Sequence, residues 1–218
     1  MVNFSSDVDI LRYEPILFGE LYLPSQVLAK GEDGVLNGTS FTADDADFVN
    51  ASVAVGGVIY LKSEDGILDG AYEIVSVDSA TELTVSIIRS SGEDISTAPP
   101  SATNISYRIS TFRPQAGEAG FQLTEYFGIK PGNPSSEIKV EDITDTSALR
   151  AASAFAVISV AYAMLASRAE NENFWKKSLY YQRLFEKARE RCRVCIDTDG
   201  DGAADIERPG ASIRLRRD

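Results

Sequence analysis

The residues best suited to chemistry in this 218-residue chain lie towards its C-terminal end. In DTDGDGAAD, residues 197–205, carboxylates stand at positions one, three, five and nine (Asp197, Asp199, Asp201, Asp205), with Gly202 at six. An EF-hand loop uses this spacing to wrap hard oxygens around a calcium ion. The match departs at position twelve, where a bidentate glutamate belongs and Arg208 stands, and position eight is only the small Ala204. Two readings stay open: a weak cation site, or a polar Asp/Gly turn that ends a helix and redirects the chain.

Cys192 and Cys195 form a C-x-x-C. A redox pair wants its first thiol at a helix N-terminus, where the helix dipole lowers its pKa. These two fall at the end of a long predicted helix, where the dipole has the wrong sign. A structural zinc needs four ligands, and the chain has no other cysteine and no histidine. The pair therefore reads as core. Asp44, Asp45 and Asp47 resemble paired catalytic acids but sit in a polar segment before Phe48, as a solvated acidic surface would. No histidine, P-loop, G-x-S-x-G or dinucleotide-binding glycine pattern is present, so the expectation is a non-enzymatic protein without cofactor.

The 33 acidic residues outnumber 21 basic ones, a net charge of -12, which excludes a general nucleic-acid coat. The excess is not spread evenly. Residues 1–110 hold five basic residues against seventeen acidic ones, whereas residues 111–218 hold sixteen of each. Such asymmetry suggests two modules facing different surroundings, or simply an acidic half that keeps the protein soluble. Met1 is not followed by a basic and then apolar leader, so synthesis in a reducing cytoplasm is expected. Residues 151–167 are uncharged but fall short of the ~20 needed to cross a bilayer. A buried helix is expected there, and no membrane.

These residues must be positioned by an α+β chain. Residues 1–30, broken by Pro15, Gly19 and Pro24, read as short helical pieces packing on a helical bundle. Residues 31–113 read as an inserted small antiparallel barrel or sandwich, with strands near 55–62, 71–78, 82–89 and 104–110. The polar loop 90–103 is mobile or an interaction tip on this reading. Residues 114–196 read as the helical domain: a short helix within 117–132 stopped by Gly128, Pro131 and Gly132, a helix over 147–169 capped by Asp145 or Thr146, and one over 173–195. On the last, Phe174, Tyr181, Phe185, Ala188, Cys192 and Cys195 form one stripe, and the short link predicts two long antiparallel helices.

Residues 197–218 then read as the Asp/Gly turn and an extended C-terminal arm. In IERPGASIRLRRD, Ser212, Arg214 and Arg216 alternate with Ile213, Leu215 and Arg217, as in a strand that adds to a neighbour's sheet. A frayed basic terminus is the other reading.

The long helix ending in CIDTDGDGAADIERPGASIRLRR resembles the C-terminal part of head-to-tail adaptor (connector) proteins of tailed bacteriophages. The segment containing GGVIYL, GAYEIVSV and TELTVS is similar to small β modules of phage structural proteins. The resemblance implies a virion protein of the neck, made in the host cytoplasm. It implies a homo-oligomeric ring, a dodecamer, bridging the portal protein to a tail or neck protein. DNA would pass through its lumen without specific binding. Arg208, Ile213, Arg214, Leu215, Arg216 and Arg217 would dock on the portal or a neighbouring subunit. A neck, tail-completion or tail-terminator protein of the same virion is the alternative, and a calcium-binding surface module a more distant one.

Overall fold

The structure, a computed structural model, describes residues 2–129, 133, 135–169 and 172–210. It is α+β, with four α-helices and a closed six-stranded antiparallel barrel among the described residues. The chain divides into two compact units, Ser6–Phe112 and Met1–Ser5 with Arg113–Asp218.

The barrel unit opens with α1 (Asp7–Leu11). Its strands are β1 (Val27–Asn37), β2 (Ser40–Thr42), β3 (Val58–Ser63), β4 (Asp69–Val77), β5 (Glu82–Ser86) and β6 (Ala102–Ser110). They pair in the order β1-β2-β5-β4-β3-β6, and β6 closes on β1, so no strand edge of the barrel is left to pair elsewhere. Alternation fills the interior. Ile59 and Leu61, Leu83 and Val85, and Ile105, Tyr107 and Ile109 are buried, two residues apart on their strands. Phe41, Phe48 and Tyr107 pack mutually, with ring centroids 5.2 to 6.3 Å apart.

Two strands, β1 and β2, fall outside the expected runs. The β1 sequence VLAKGEDGVLN carries charges and glycines, and its pairing with β6 shifts register between Gly31 and Gly34 and again before Leu36. Such bulges erase the period of two that identifies a strand. At Gly34 the chain passes close to its neighbours: a Cβ there would lie 2.7 Å from the Phe41 ring and 2.9 Å from the Ile105 carbonyl oxygen.

The expected packing of residues 1–30 on the helical domain is corrected, since from Ser6 onward this segment belongs to the barrel unit. Its apolar residues Val8, Ile10, Leu11, Leu17 and Phe18 are buried, and Val27 already starts β1. The Asp7 carboxylate accepts the Phe112 N–H at 2.7 Å, and the Val8 N–H donates to the Gly56 carbonyl at 3.1 Å. Phe18 meets Phe112 edge-on at 5.3 Å.

The helical unit holds α2 (Arg113–Tyr126), α3 (Arg150–Ala169) and α4 (Glu172–Arg191), followed by a hairpin of β7 (Arg193–Ile196) and β8 (Ile206–Pro209). A 3-10 turn, Thr146–Leu149, leads into α3, and the Asp145 carboxylate accepts the Ser147 N–H ahead of it. α3 and α4 run antiparallel: Tyr162 meets Phe174 and stacks on Tyr181, and the Ser159 hydroxyl donates to the Ser178 carbonyl. α2 packs on α3. By length and composition Thr146–Ser167 could cross a membrane, yet 56% of its most apolar window is buried in the protein, as in a core helix.

α2 ends in a Schellman turn. The Ile129 N–H reaches the Thr124 carbonyl and the Gly128 N–H the Glu125 carbonyl, with Gly128 at φ +71°. Gly128 is thus the expected stop; Pro131 and Gly132 lie outside the described residues. α4 ends earlier than expected, at Arg191, and Cys195 stands on β7 rather than on the helical stripe. Residues 193–196 gain more by pairing: β7 takes β8 on one side, and on the other the Thr144 N–H donates to the Cys195 carbonyl while Ile143 bridges to Ile196.

Candidate functional site

The acidic motif 197–205 is the loop of the β7–β8 hairpin, closed by the Ile196–Ile206 pair. Strands flank it, not the helices of an EF-hand. The carboxylate oxygens of Asp197, Asp199 and Asp205 come within 4.8 Å of one another, and Asp201 is not part of this group. The loop itself uses part of their lone pairs. Asp197 accepts the N–H groups of Gly200 and Gly202, each at 2.7 Å, and of Asp199 at 3.2 Å. The Gly202 and Gly200 bonds hold the Asp197 pKa below the ordinary aspartate value. Asp205 accepts the Thr198 hydroxyl at 2.6 Å and its N–H at 2.8 Å, which lowers its pKa too.

Arg208, at position twelve, turns away from the loop and donates to the Phe127 carbonyl at the end of α2. It was expected to dock on the portal or a neighbouring subunit; within its own unit it ties β8 to the end of α2. The arginine fork reaches a backbone acceptor that the α2 terminus leaves without a helical partner. Beside it, the Tyr126 hydroxyl donates to the Gly210 carbonyl, and the Arg189 guanidinium lies 4.0 Å from the Tyr126 ring. The remaining residues expected in docking, Ile213, Arg214, Leu215, Arg216 and Arg217, lie outside the described residues.

Cys192 is buried and donates to the carbonyls of Ala148 at 3.0 Å and Ala188 at 3.2 Å. Burial pushes its thiol pKa up, which opposes the thiolate a redox or metal role requires. Cys195 is also a free thiol. Asp44, Asp45 and Asp47 are exposed, and Asp47 accepts the Asn50 N–H at 3.0 Å, a turn contact.

Two further features lie in the barrel unit, the first of them missed by sequence reasoning. One is an open cleft of about 1050 Å³ whose lining includes Tyr22, Lys30, Asp45, Tyr60, Tyr107 and Arg108. Arg108 is part of the scaffold there. Its guanidinium covers the Tyr22 ring at 3.7 Å, its Nη2 donates to the Phe18 carbonyl at 3.0 Å and to Gly19, and burial lowers its pKa. Tyr60, which donates to Asp69, has its pKa pushed up to about 12, first by burial and then by that carboxylate.

The other is the loop after β5. Arg89 Nη1 donates to the carbonyls of Gly92 at 2.8 Å and Asp94 at 3.0 Å, while Arg89 Nη2 pairs with Glu73 at 2.8 Å. Arg12 reaches the Arg89 carbonyl at 2.8 Å. The Asp94 carboxylate accepts the Ser91 N–H, and Thr97 pairs back with Ile87 and the Ser86 hydroxyl. This bracing presents Ile95 with 92% of its surface exposed. Only the length and polarity of 90–103 signalled it.

On the helical unit, Val160 and Met164 of α3 and Trp175 and Leu179 of α4 are exposed, each pair one turn apart. The arrangement offers surfaces for association. No family model, curated protein or solved structure matches the chain.

Proposed function

We propose that this protein is a structural virion component, a head-to-tail adaptor whose copies form a ring joining the portal to the tail or neck. The observation that carries the reading is the segregation of charge: the barrel unit Ser6–Phe112 holds the whole excess of -12, and the rest of the chain balances. DNA is attracted by cations that displace its counterions, so an acidic body suits a conduit through which a duplex slides without sticking. The resemblance of the C-terminal region to phage adaptors supplies the partner. On this reading the helices form a bundle that builds the ring. Residues 211–218, with Ile213, Arg214, Leu215, Arg216 and Arg217, extend as a basic arm onto a portal subunit.

The test is co-purification of the full chain with portal rings, followed by electron microscopy of the complex. The expected result is one ring of this protein under each portal, lost when residues 211–218 are deleted and the melting temperature is unchanged. Cutting after Gly210 spares the hairpin and the Arg208 anchor. Binding to tail tubes but not portals would assign the protein to the tail-completion class. Tight duplex binding at low salt would sink the conduit reading.

A further inference from the structure

We propose that the Ile95 loop of one copy docks on the α3–α4 face of a second copy, making a head-to-tail contact between subunits. The inference rests on the adaptor reading and names the surfaces by which its ring would close.

A loop that carries an isoleucine at its tip ordinarily turns it inwards or stays loose. This one does neither. It is held from inside by the Arg89 guanidinium and at its far end by Thr97, which bonds to Ser86 and Ile87, yet Ile95 stands 92% exposed. Ordering entropy has already been spent in the free protein, as in a pre-organised binding loop. The tip is flanked by Glu93 and Asp94, and its whole unit is acidic.

The α3–α4 face has the opposite character. Because Ser159 meets Ser178 in an antiparallel pair, Val160 falls within two residues of the level of Leu179, and Met164 within two of that of Trp175. Trp175 is 51% exposed, a large apolar surface to leave in water, and tryptophan is favoured at the centre of interfaces. α4 carries six basic residues against three acidic ones, with Lys176 beside Trp175 and Arg183 one turn beyond Leu179. An apolar tip with acidic shoulders thus fits an apolar strip with basic shoulders. The two surfaces differ, so the contact is heterologous and repeats from copy to copy until a ring closes. Charge complementarity selects a second copy: this chain supplies both the anionic and the cationic partner.

The test uses the full chain in sedimentation velocity at low and high salt. The expected result is a mass that rises with concentration at low salt and less so at high salt. Ile95→Asp and Leu179→Asp, each at an exposed site, are expected to weaken association by about tenfold or more with unchanged melting. Glu93→Lys weakens it, and mixing that chain with Arg183→Glu restores a charge pair and a mixed dimer. As a positional check, Ile95→Cys and Leu179→Cys chains are mixed and oxidised, and a 95–179 disulfide is sought by mass spectrometry. Such a link joins two chains, since each carries one engineered thiol. A monomer at every concentration, or association indifferent to both Asp variants, overturns the inference. If Ile95→Asp abolishes portal capture but not self-association, the loop serves another partner and the inference fails while the adaptor reading stands. Self-association through this contact without portal capture leaves the inference standing and removes the adaptor reading.

Discussion

Glu73 on β4 and Arg89, three residues beyond the end of β5, form an ion pair of 2.8 Å with side chains only 7% and 9% exposed. The pair is made possible by the β4–β5 register, which sets Glu73 opposite Ser86. The carboxylate also accepts the Arg89 N–H at 3.1 Å, and Glu73 holds the Arg89 pKa above its usual value. Removing one partner of a buried pair strands the other charge, at a cost of about 3–5 kcal/mol. Glu73→Ala is therefore expected to lower unfolding free energy by that amount in urea titration. Limited proteolysis should also cut within 90–97, because the loop's internal brace loses its anchor. An unchanged cleavage pattern would show that the hydrogen bonds to Ser86 and Ile87 hold the loop alone.

Gly128 and Arg208 are coupled in a similar way at the end of α2. At φ +71° a Cβ costs roughly 1–2 kcal/mol, and here it would also lie 2.6 Å from Arg208 Nη1. Gly128→Ala is expected to destabilise by more than the backbone cost alone. In the background of Arg208→Ala the same substitution should cost less. A double-mutant cycle in urea reads that difference directly, and strict additivity would show that Arg208 simply swings aside.

Tyr60 gives an alkaline signature. Its unfolded pKa is near 10 and its folded value is about 12, so the folded state holds the phenolic proton more tightly. Below pH 10 the proton is bound in both states and the stabilisation is fully present. As pH rises from 10 to about 12 the unfolded chain releases the proton first, and stability falls. Tyr60→Phe should flatten that part of the stability curve and remove the latest component of phenolate absorbance. An unchanged late component would assign it to Tyr72 or Tyr107, whose pKa values burial also raises.

What could be read from the sequence divides along physical lines. β3 to β6 were legible because half-buried strands alternate, and α3 because seventeen uncharged residues have little choice but to be buried. β1 was not, since Lys30, Gly31, Glu32 and Asp33 lie on a bulged strand. The end of α4 was misread because Cys192 and Cys195 continue the three-and-four spacing that β7 interrupts. Of the site residues, the Asp197 motif could be found but not its flanking strands. The roles of Arg89 and Arg208 were hidden, because their partners Glu73 and Phe127 are brought to them by register and helix packing.

The Asp197 loop yields the last expectation. Calcium binding needs six to eight oxygens turned towards a common centre, each with one lone pair available. Here Asp197 is occupied by three N–H groups and Asp205 by Thr198, while Arg208 is committed to Phe127. These bonds leave each carboxylate lone pairs to spare, but the three groups are largely exposed and no bidentate glutamate completes the set. A site with Kd of ~10⁻⁴ M would add ~1.4 kcal/mol to stability at 1 mM calcium. The expected outcome is no shift in melting temperature on adding calcium to that level. The same carboxylates should make the hairpin acid-sensitive. Their folded pKa values lie below the unfolded 3.8, so the stabilisation is present above that pH and is lost as pH falls through the folded values. Carboxyl-carbon NMR of Asp197 and Asp205 reads both effects. Shifts that saturate with calcium, together with a higher melting temperature, would mean that the loop is a cation site.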